Sequence, residues 1–571
     1  MKIRVTGIQW SVLGLIALVA ALGSISLSSP PVLDDVNEWN YLASWKESGR
    51  NSALDCFGYF RPIKNIFFTL CAPSPGGTII VAHVVTLICY ALLTLLCWLA
   101  ARRLLNHERW ALAATALFVL APTQLSAVAW FSCTTNVVMN IMMILATLLV
   151  TEKITQHAQN RATWAACGYG LLASFCAALA LLSYEEAVAL PLLFLLWQYA
   201  RQRSLIARPT LIMTSVLGLI VATYLLVRLQ FQGITSSANS GFFPPLKNIE
   251  VSLASAYFTL HHLGLWLWPW NRLTLFAGYP PTATLAPFLF PASWLLLFAI
   301  SWLAFRVRHA MRFLWIGWLW FLFAFFPLSN LLPFRNGPFA DYYLLLPSFG
   351  LALAVADILR FCWQHRRTAT GAQRQLAALV GLVLALSRIG AFAELPRGLW
   401  AWRETNSLNR YLLHADPVNY VILANWGHFF IQAKQLDTAE QLLASAQQLA
   451  PWFDYAIQLR GEIALARTNY PAALQFFAEA HRLNPADAFP LKAQGYIREC
   501  QGQHQASLVL YKQALARRWD GDSVRLAVAV ANQLVTLGRT NEACALFQRA
   551  QQFAPRHPAL TYWTLGNRRE K

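Results

Sequence analysis

Charge is scarce in this sequence. Only 12% of its 571 residues are Asp, Glu, Lys or Arg, and the 26 acidic residues are outnumbered by 45 basic ones. A soluble chain of this length would divide into several domains. Here 57% of residues are hydrophobic, with 23 Trp and 35 Phe. Apolar runs of about 20 residues recur, the length a helix needs to cross a bilayer. Metal-binding patterns are missing: the 10 Cys show no CxxC or zinc spacing, and most lie in apolar runs as small core residues do. Also missing is a basic stripe interleaved with aromatics, so the formal net charge of +19 does not mark a nucleic-acid binder. No clean small-x-small cleavage site follows the first apolar run, Ile8 to Leu27, so Lys2 and Arg4 precede an uncleaved first helix. Paired inverted halves, one mark of a transporter, are lacking too, and polar midplane residues, the other, are few.

The apolar segments run 8–28, 78–100, 110–130, 134–150, 164–183, 187–200, 209–229, 286–305, 313–334, 342–362 and 376–394. Those at 134–150 and 187–200 are short and read as broken or tilted. Four Arg clusters follow the second, sixth, eighth and tenth segments: Arg102, Arg103 and Arg109; Arg201, Arg203 and Arg208; Arg306, Arg308 and Arg312; Arg366, Arg367 and Arg374. With about eleven crossings all four fall on the side of Lys2 and Arg4, so the N-terminus is cytoplasmic and the C-terminus lies opposite. Asn248 to Trp270, with Trp266, Trp268 and Trp270, then reads as an interfacial or re-entrant helix; twelve crossings is the alternative. The first outer loop, about 29–77, is acidic over 29–60, and Trp39, Tyr41 and Trp45 predict a short helix on the bilayer surface. Cys56 and Cys71 share this loop and could pair if it faces an oxidising space.

Beyond residue 398 the long apolar runs stop and a repeat begins. Gly427, Gly461 and Gly495 share a 34-residue spacing, as do Ala446, Ala480 and Ala514, and Pro417, Pro451 and Pro485. This is the tetratricopeptide period, in which each helix pair buries a face only against its neighbours. A fourth, less regular unit ends near Pro555. The expected fold is therefore all-α: a polytopic transmembrane domain over 1–398 and a tetratricopeptide α-solenoid over 399–571. The solenoid's concave surface suits a protein or peptide partner.

Asp34 and Asp35 follow the first apolar run, placing two adjacent carboxylates where a membrane helix meets water. Adjacent carboxylates repel, which raises one pKa and leaves the other ionised. Such a pair fits an enzyme acting on a lipid-linked substrate, and it also fits the cap of the surface helix. Glu185 and Glu186 form a very short outer turn, and Asp341 precedes Tyr342 and Tyr343 at another outer edge; acids at a membrane edge are usually used, yet Asp341 also suits a helix cap. His83, alone in the second segment, reads as a packing residue.

Membrane segments followed by tetratricopeptide repeats resemble the transmembrane and tetratricopeptide-repeat O-mannosyltransferases of the GT-C superfamily. Leu33-Asp34-Asp35 looks like that family's first-loop acidic pair, and Tyr59-Phe60-Arg61-Pro62-Ile63 is similar to its aromatic-Arg-Pro-Leu motif. Ala121-Pro122-Thr123-Gln124-Leu125-Ser126-Ala127-Val128-Ala129-Trp130 looks like its His-Pro-x-His-x-Glu-Ala-Val-Ala-Trp stretch. Leu182-Ser183-Tyr184-Glu185 resembles Leu-Ser-Lys-Glu, and Ala340-Asp341-Tyr342-Tyr343 resembles Ala-Asp-Arg-Tyr. Departures are visible: Ala121, Gln124 and Ser126 replace two His and a Glu, Thr134 and Asn136 stand for Arg and Asp, Tyr184 for Lys and Tyr342 for Arg.

The resemblance implies transfer of a sugar, mannose-like, from a polyprenyl-phosphate donor to a protein or envelope acceptor. It implies a catalytic base in the acidic pair, with Asp34 as the base and Asp35 in support. Arg61 would contact the donor phosphate, since guanidinium forks suit phosphate oxygens; it also suits headgroup snorkelling. Glu185 and Asp341 join the expected substrate-binding set. A divalent metal at the phosphate has no sequence support. The implied setting is a bacterial inner membrane with the repeats in the periplasm. The lost polar residues keep a second reading open: a catalytically degenerate scaffold whose repeats recruit envelope proteins.

Overall fold

The computed structural model describes residues 7–27, 29, 35, 38–39, 61–71, 79–159, 163–232, 248–269, 286–332, 337, 339–365, 371–516 and 521–560. All its regular elements are helices. In chain order the membrane part contains α1 (Gly7–Gly23), α2 (Pro62–Leu70), α3 (Ile80–Leu105), α4 (Glu108–Val119), α5 (Leu125–Ala129), α6 (Met139–Gln159), α7 (Thr163–Ser183), α8 (Leu190–Ala200), α9 (Arg208–Gln232), α10 (Asn248–Leu253), α11 (Ser255–Leu267), α12 (Ala286–Arg306), α13 (Arg312–Phe325), α14 (Leu345–His365) and α15 (Gly371–Ala401). Among the described residues seven helices are long and apolar enough to cross a membrane, or eight if the bent pair α4–α5 is one span. The chain is a multi-pass membrane protein.

The breaks fall elsewhere than expected. The segment at 134–150 is a full span, Phe131–Ile154, carrying a π turn at Thr134–Val138. The stretch at 110–130 is the broken one: Pro122 opens a 3-10 turn and α4 and α5 meet at 62°. Proline cannot continue a helix whose amide it lacks. Likewise α13 stops at Phe325, before Pro327. α8 is short, as the sequence suggested, with 11 residues after a 3-10 turn at Glu185–Ala189.

Two polar rims bracket the bundle. At one end Arg201 and Arg103 meet the buried Glu152 at 2.9 and 3.7 Å, and Arg312 donates to the Tyr199 carbonyl at 2.8 Å. Three of the Arg clusters thus share one rim. Asp357 accepts from the first amides of α13, Phe313 and Leu314, at 2.8 and 3.2 Å, capping that helix in trans. The other rim carries Asp35, Arg61, Glu185 and Asp341. α13 and α14 cross by backbone contact: a Cβ on Gly317 would collide with the Gly350 carbonyl, and one on Gly350 with the Gly317 carbonyl. Small residues let membrane helices approach this closely. α11 packs beside α12, where Trp294 donates to the Leu253 carbonyl at 3.0 Å. Its far end is held by Arg388 of α15, whose Nη2 donates to the Trp266 and Leu267 carbonyls.

The repeats follow α16 (Thr405–Ala415). Four helix pairs stack: α17 (Tyr420–Gln432) with α18 (Leu436–Leu449), α19 (Asp454–Ala466) with α20 (Tyr470–Leu483), α21 (Phe489–Cys500) with α22 (His504–Leu515), and α23 (Gly521–Thr536) with α24 (Thr540–Phe553). The registered glycines sit at the tightest point within each pair. A Cβ at Gly427, Gly461 or Gly495 would come within 2.7, 2.8 or 2.6 Å of Leu443, Phe477 or Tyr511. Trp402, Leu408, Leu412 and Ile422 belong to the same buried cluster as the membrane helices. Trp402 lies 6.3 Å from Trp130 between ring centres. The solenoid therefore grows out of the membrane core rather than hanging from a linker.

Candidate active site

The polar groups of the outer rim come from elements far apart in sequence. Arg61 precedes Pro62, the first residue of α2; proline is favoured there because its missing amide would be unpaired anyway. The Arg61 side chain crosses to the α7–α8 turn. Its Nη2 donates to Glu185 Oε2 at 2.7 Å and its Nε to the same oxygen at 3.2 Å. The guanidinium lies 4.6 Å over the Tyr184 ring, a cation–π contact. From α9, Arg228 Nη1 approaches Glu185 Oε1 to 3.5 Å. Burial opposes ionisation of Glu185, yet the two guanidinium groups outweigh it and hold the carboxyl down to about 2. Glu186 is the opposite case. It is fully buried, neither oxygen finds a hydrogen-bond partner, and burial pushes its carboxyl well above the usual range. The two neighbouring glutamates are thus pushed in opposite directions, Glu185 by its guanidinium partners and Glu186 by burial.

Asp35 is buried, and its Oδ1 accepts from the Ser132 amide at 3.0 Å. Ser132 opens the span Phe131–Ile154, so Asp35 caps a helix distant in sequence. Cys133 lies within electrostatic reach of both Asp35 and Glu186, which ties the acidic segment to the α7–α8 turn. Glu38 pairs with Lys64 of α2, both buried. Trp39 is not laid on a bilayer surface; it stacks 5.7 Å from Phe131 and donates to the Phe68 carbonyl at 3.1 Å. Asp34, Tyr41, Trp45 and Cys56 lie outside the described residues. Cys71 is a free, buried thiol. His83 is buried with Nε2 3.2 Å from the Ser29 carbonyl, a packing role as expected.

Asp341 begins a 3-10 turn, Asp341–Leu344, and is buried. It lies within electrostatic reach of α16: burial, Glu394 and then Asp341 push the Tyr411 phenol up. Ala340, just before it, accepts from His262 Nε2 at 3.3 Å if that nitrogen carries the proton. The substituted second outer loop is packed away. Ala121, Gln124 and Ser126 are buried, and Gln124 donates to Ser348 Oγ at 3.2 Å. Among the described residues no group of three or more His, Cys, Asp or Glu could hold a metal ion.

The structure thus joins Arg61 to Glu185, anchors Asp35 nearby, and sets Asp341 within electrostatic reach of the first helix beyond the membrane part. Arg228 escaped sequence reasoning, although a signal existed. It stands 20 residues beyond Arg208, about 30 Å along the helix, at the end away from the Arg clusters.

Residues 64–227 match the family model described as dolichyl-phosphate-mannose-protein mannosyltransferase. The membrane part is accordingly similar to a mannosyltransferase-like membrane glycosyltransferase. The match includes Ser132 and Glu185 and stops short of Asp35, Arg61 and Arg228. Solved repeat proteins are also similar. A crystal structure of MamA is 19% identical, with 26% of this chain and 87% of that one covered at a TM-score of 0.24. Pseudomonas aeruginosa PilF is 14% identical over 37% and 96%, at 0.27. Yeast Tom70 is 12% identical over 74% and 96%, at 0.28. At such scores the helix pairs described above carry the repeat assignment. No curated protein matches the chain.

Proposed function

We propose that the protein transfers a mannose-like sugar from a polyprenyl-phosphate donor to a protein or envelope acceptor on the non-cytoplasmic side of a bacterial inner membrane. The observation that carries this reading is the Arg61–Glu185 ion pair at the rim opposite the Arg clusters, with Asp35 fixed on the same rim. Asp34 takes the proton of the acceptor hydroxyl. The hydroxyl oxygen bonds to the sugar's anomeric carbon as the bond from that carbon to the phosphate oxygen breaks. Polyprenyl phosphate departs carrying the electron pair, and Arg61 meets the charge that develops on it. Glu185 holds the guanidinium in place instead of binding substrate itself. The repeats, continuous with the membrane core, present acceptor to this rim.

The test is transfer of labelled sugar from polyprenyl-phosphate donors in membranes from cells expressing wild type or Asp34→Asn. Activity in wild type and loss of about 10²- to 10⁴-fold in the variant is expected for a general base. A silent wild type across the common donors would leave the degenerate scaffold, which the packed-away Ala121, Gln124 and Ser126 favour.

A further inference from the structure

We infer that Arg228 is a second seat for the donor's phosphate, standing beside Arg61. This rests on the phosphate-linked donor proposed above. Glu185 is largely taken by Arg61, which donates to it from two nitrogens at 3.2 and 2.7 Å. Arg228 Nη1 stands 3.5 Å from Oε1, beyond an ordinary N–H···O bond, and that oxygen already accepts from Arg61 Nε at 3.3 Å. Its Nε is buried with no hydrogen-bond partner, and its side chain is only 19% exposed. A guanidinium brings five donors in a fixed fork. Tyr224, one turn earlier, also interacts with Arg228, which leaves Nε as the buried donor without a partner, and a buried unfilled guanidinium donor favours an anion.

The neighbouring acids do not answer it. Burial pushes the Glu186 carboxyl well above the usual range, and the Asp35 carboxylate accepts from the Ser132 amide. The carboxylate between the two guanidinium groups keeps both on the outer rim, so Arg228 stands where it can meet a phosphate held at Arg61. The donor is a phosphodiester with one negative charge. Loss of the sugar leaves a monoester that gains a second. Contacts from Arg228 therefore strengthen as the bond breaks, which is where they accelerate transfer.

The test uses full-length protein in detergent, with farnesyl phosphate as a leaving-group mimic and farnesol as its uncharged control. Thermal stabilisation by the phosphate and not by the alcohol is expected for wild type. Arg228→Gln should weaken the apparent affinity about tenfold or more, the scale of one charge-assisted hydrogen bond. Arg228→Lys should keep part of it, because a point charge cannot fork two oxygens. If Arg228→Gln binds farnesyl phosphate like wild type while Arg61→Gln does not, Arg228 is merely a counter-charge; the inference falls and the phosphate-linked donor stands. If the glutamine variant does not fold, Arg228→Lys decides, and wild-type binding there overturns the inference. If wild type responds alike to farnesyl phosphate and farnesol, the phosphate-linked donor falls and this seat with it.

Discussion

Arg61 and Glu185 stand 124 positions apart in the chain and 2.7 Å apart in space. Their side chains are 12% and 14% exposed, so the pair is largely withdrawn from water. It clamps the start of α2 to the α7–α8 turn and so ties the first outer loop to the membrane bundle. An aromatic ring, Tyr184, lies under the guanidinium where the similar family carries Lys. Arg61 is thereby held by one anion and one π face.

Breaking that clamp should be expensive. Glu185→Gln leaves two guanidinium groups facing each other, and removal of one partner of a buried pair costs about 3–5 kcal/mol. The effect should depend on pH with a definite sign. Glu185 is held down to about 2 when folded, so its contribution is present above its ordinary value near 4.5 and is lost as pH falls toward 2. Melting of the detergent-solubilised protein should show a wild-type advantage over Glu185→Gln that shrinks across that window. A constant difference from neutral pH down to pH 2 would contradict the clamp.

Periodicity made much of this architecture legible. Gly427, Gly461 and Gly495 announced the helix pairs because close approach admits only hydrogen at those sites. The Arg clusters announced a shared rim because charge sorts by membrane side. Breaks inside spans were less legible. The π turn at Thr134–Val138 and the bend at Pro122 fall within or at the edge of long apolar stretches, and averaged hydropathy does not distinguish a bent helix from a short one. At the site, Arg61 and Glu185 were each visible, but as separate substrate ligands. Their pairing depends on tertiary contact, which spacing does not encode. The bond from the Ser132 amide to Asp35 was not legible either, because the two residues are 97 positions apart.

The repeat packing gives a sharp stability test. Gly461→Leu must force a side chain into Phe477, whose ring already lies 2.8 Å from an ideal Cβ. Overpacking of this kind costs about 1–3 kcal/mol or more. Because each repeat leans mainly on its neighbours, the loosening should stay local. Hydrogen exchange of the full-length protein should quicken over α19 and α20 and remain unchanged in α3. Wild-type protection in α19 and α20 would show that the glycine is not needed there.

Sidedness follows from the rims. The rim with Arg103, Arg201 and Arg312 is expected in the cytoplasm, which puts the repeats outside if the chain crosses eleven times. A periplasm-active reporter fused after Lys571 should be active and a cytoplasm-active one silent. The reverse result would require an even number of crossings, as when Asn248 to Trp270 crosses as well, and would put the repeats on the side opposite the first outer loop.

The two aspartates should separate by kind of defect. Asp35 spends its Oδ1 on the Ser132 amide at the start of a membrane span. Asp35→Ala orphans that buried donor and should lower stability by about 1–3 kcal/mol. Asp35→Asn keeps a carbonyl oxygen able to cap and should recover most of that loss. Asp34 is assigned the proton. Asn at that position nearly preserves size and cannot accept a proton in the transition state. Asp34→Asn should therefore melt like wild type yet transfer sugar about 10² to 10⁴ times more slowly. Melting and transfer measured on the same four proteins decide the matter. If Asp34→Asn retains full transfer, the base lies elsewhere. If Asp35→Asn is instead the folded but inactive variant, the proton passes to Asp35 and its bond to Ser132 serves to orient that carboxylate.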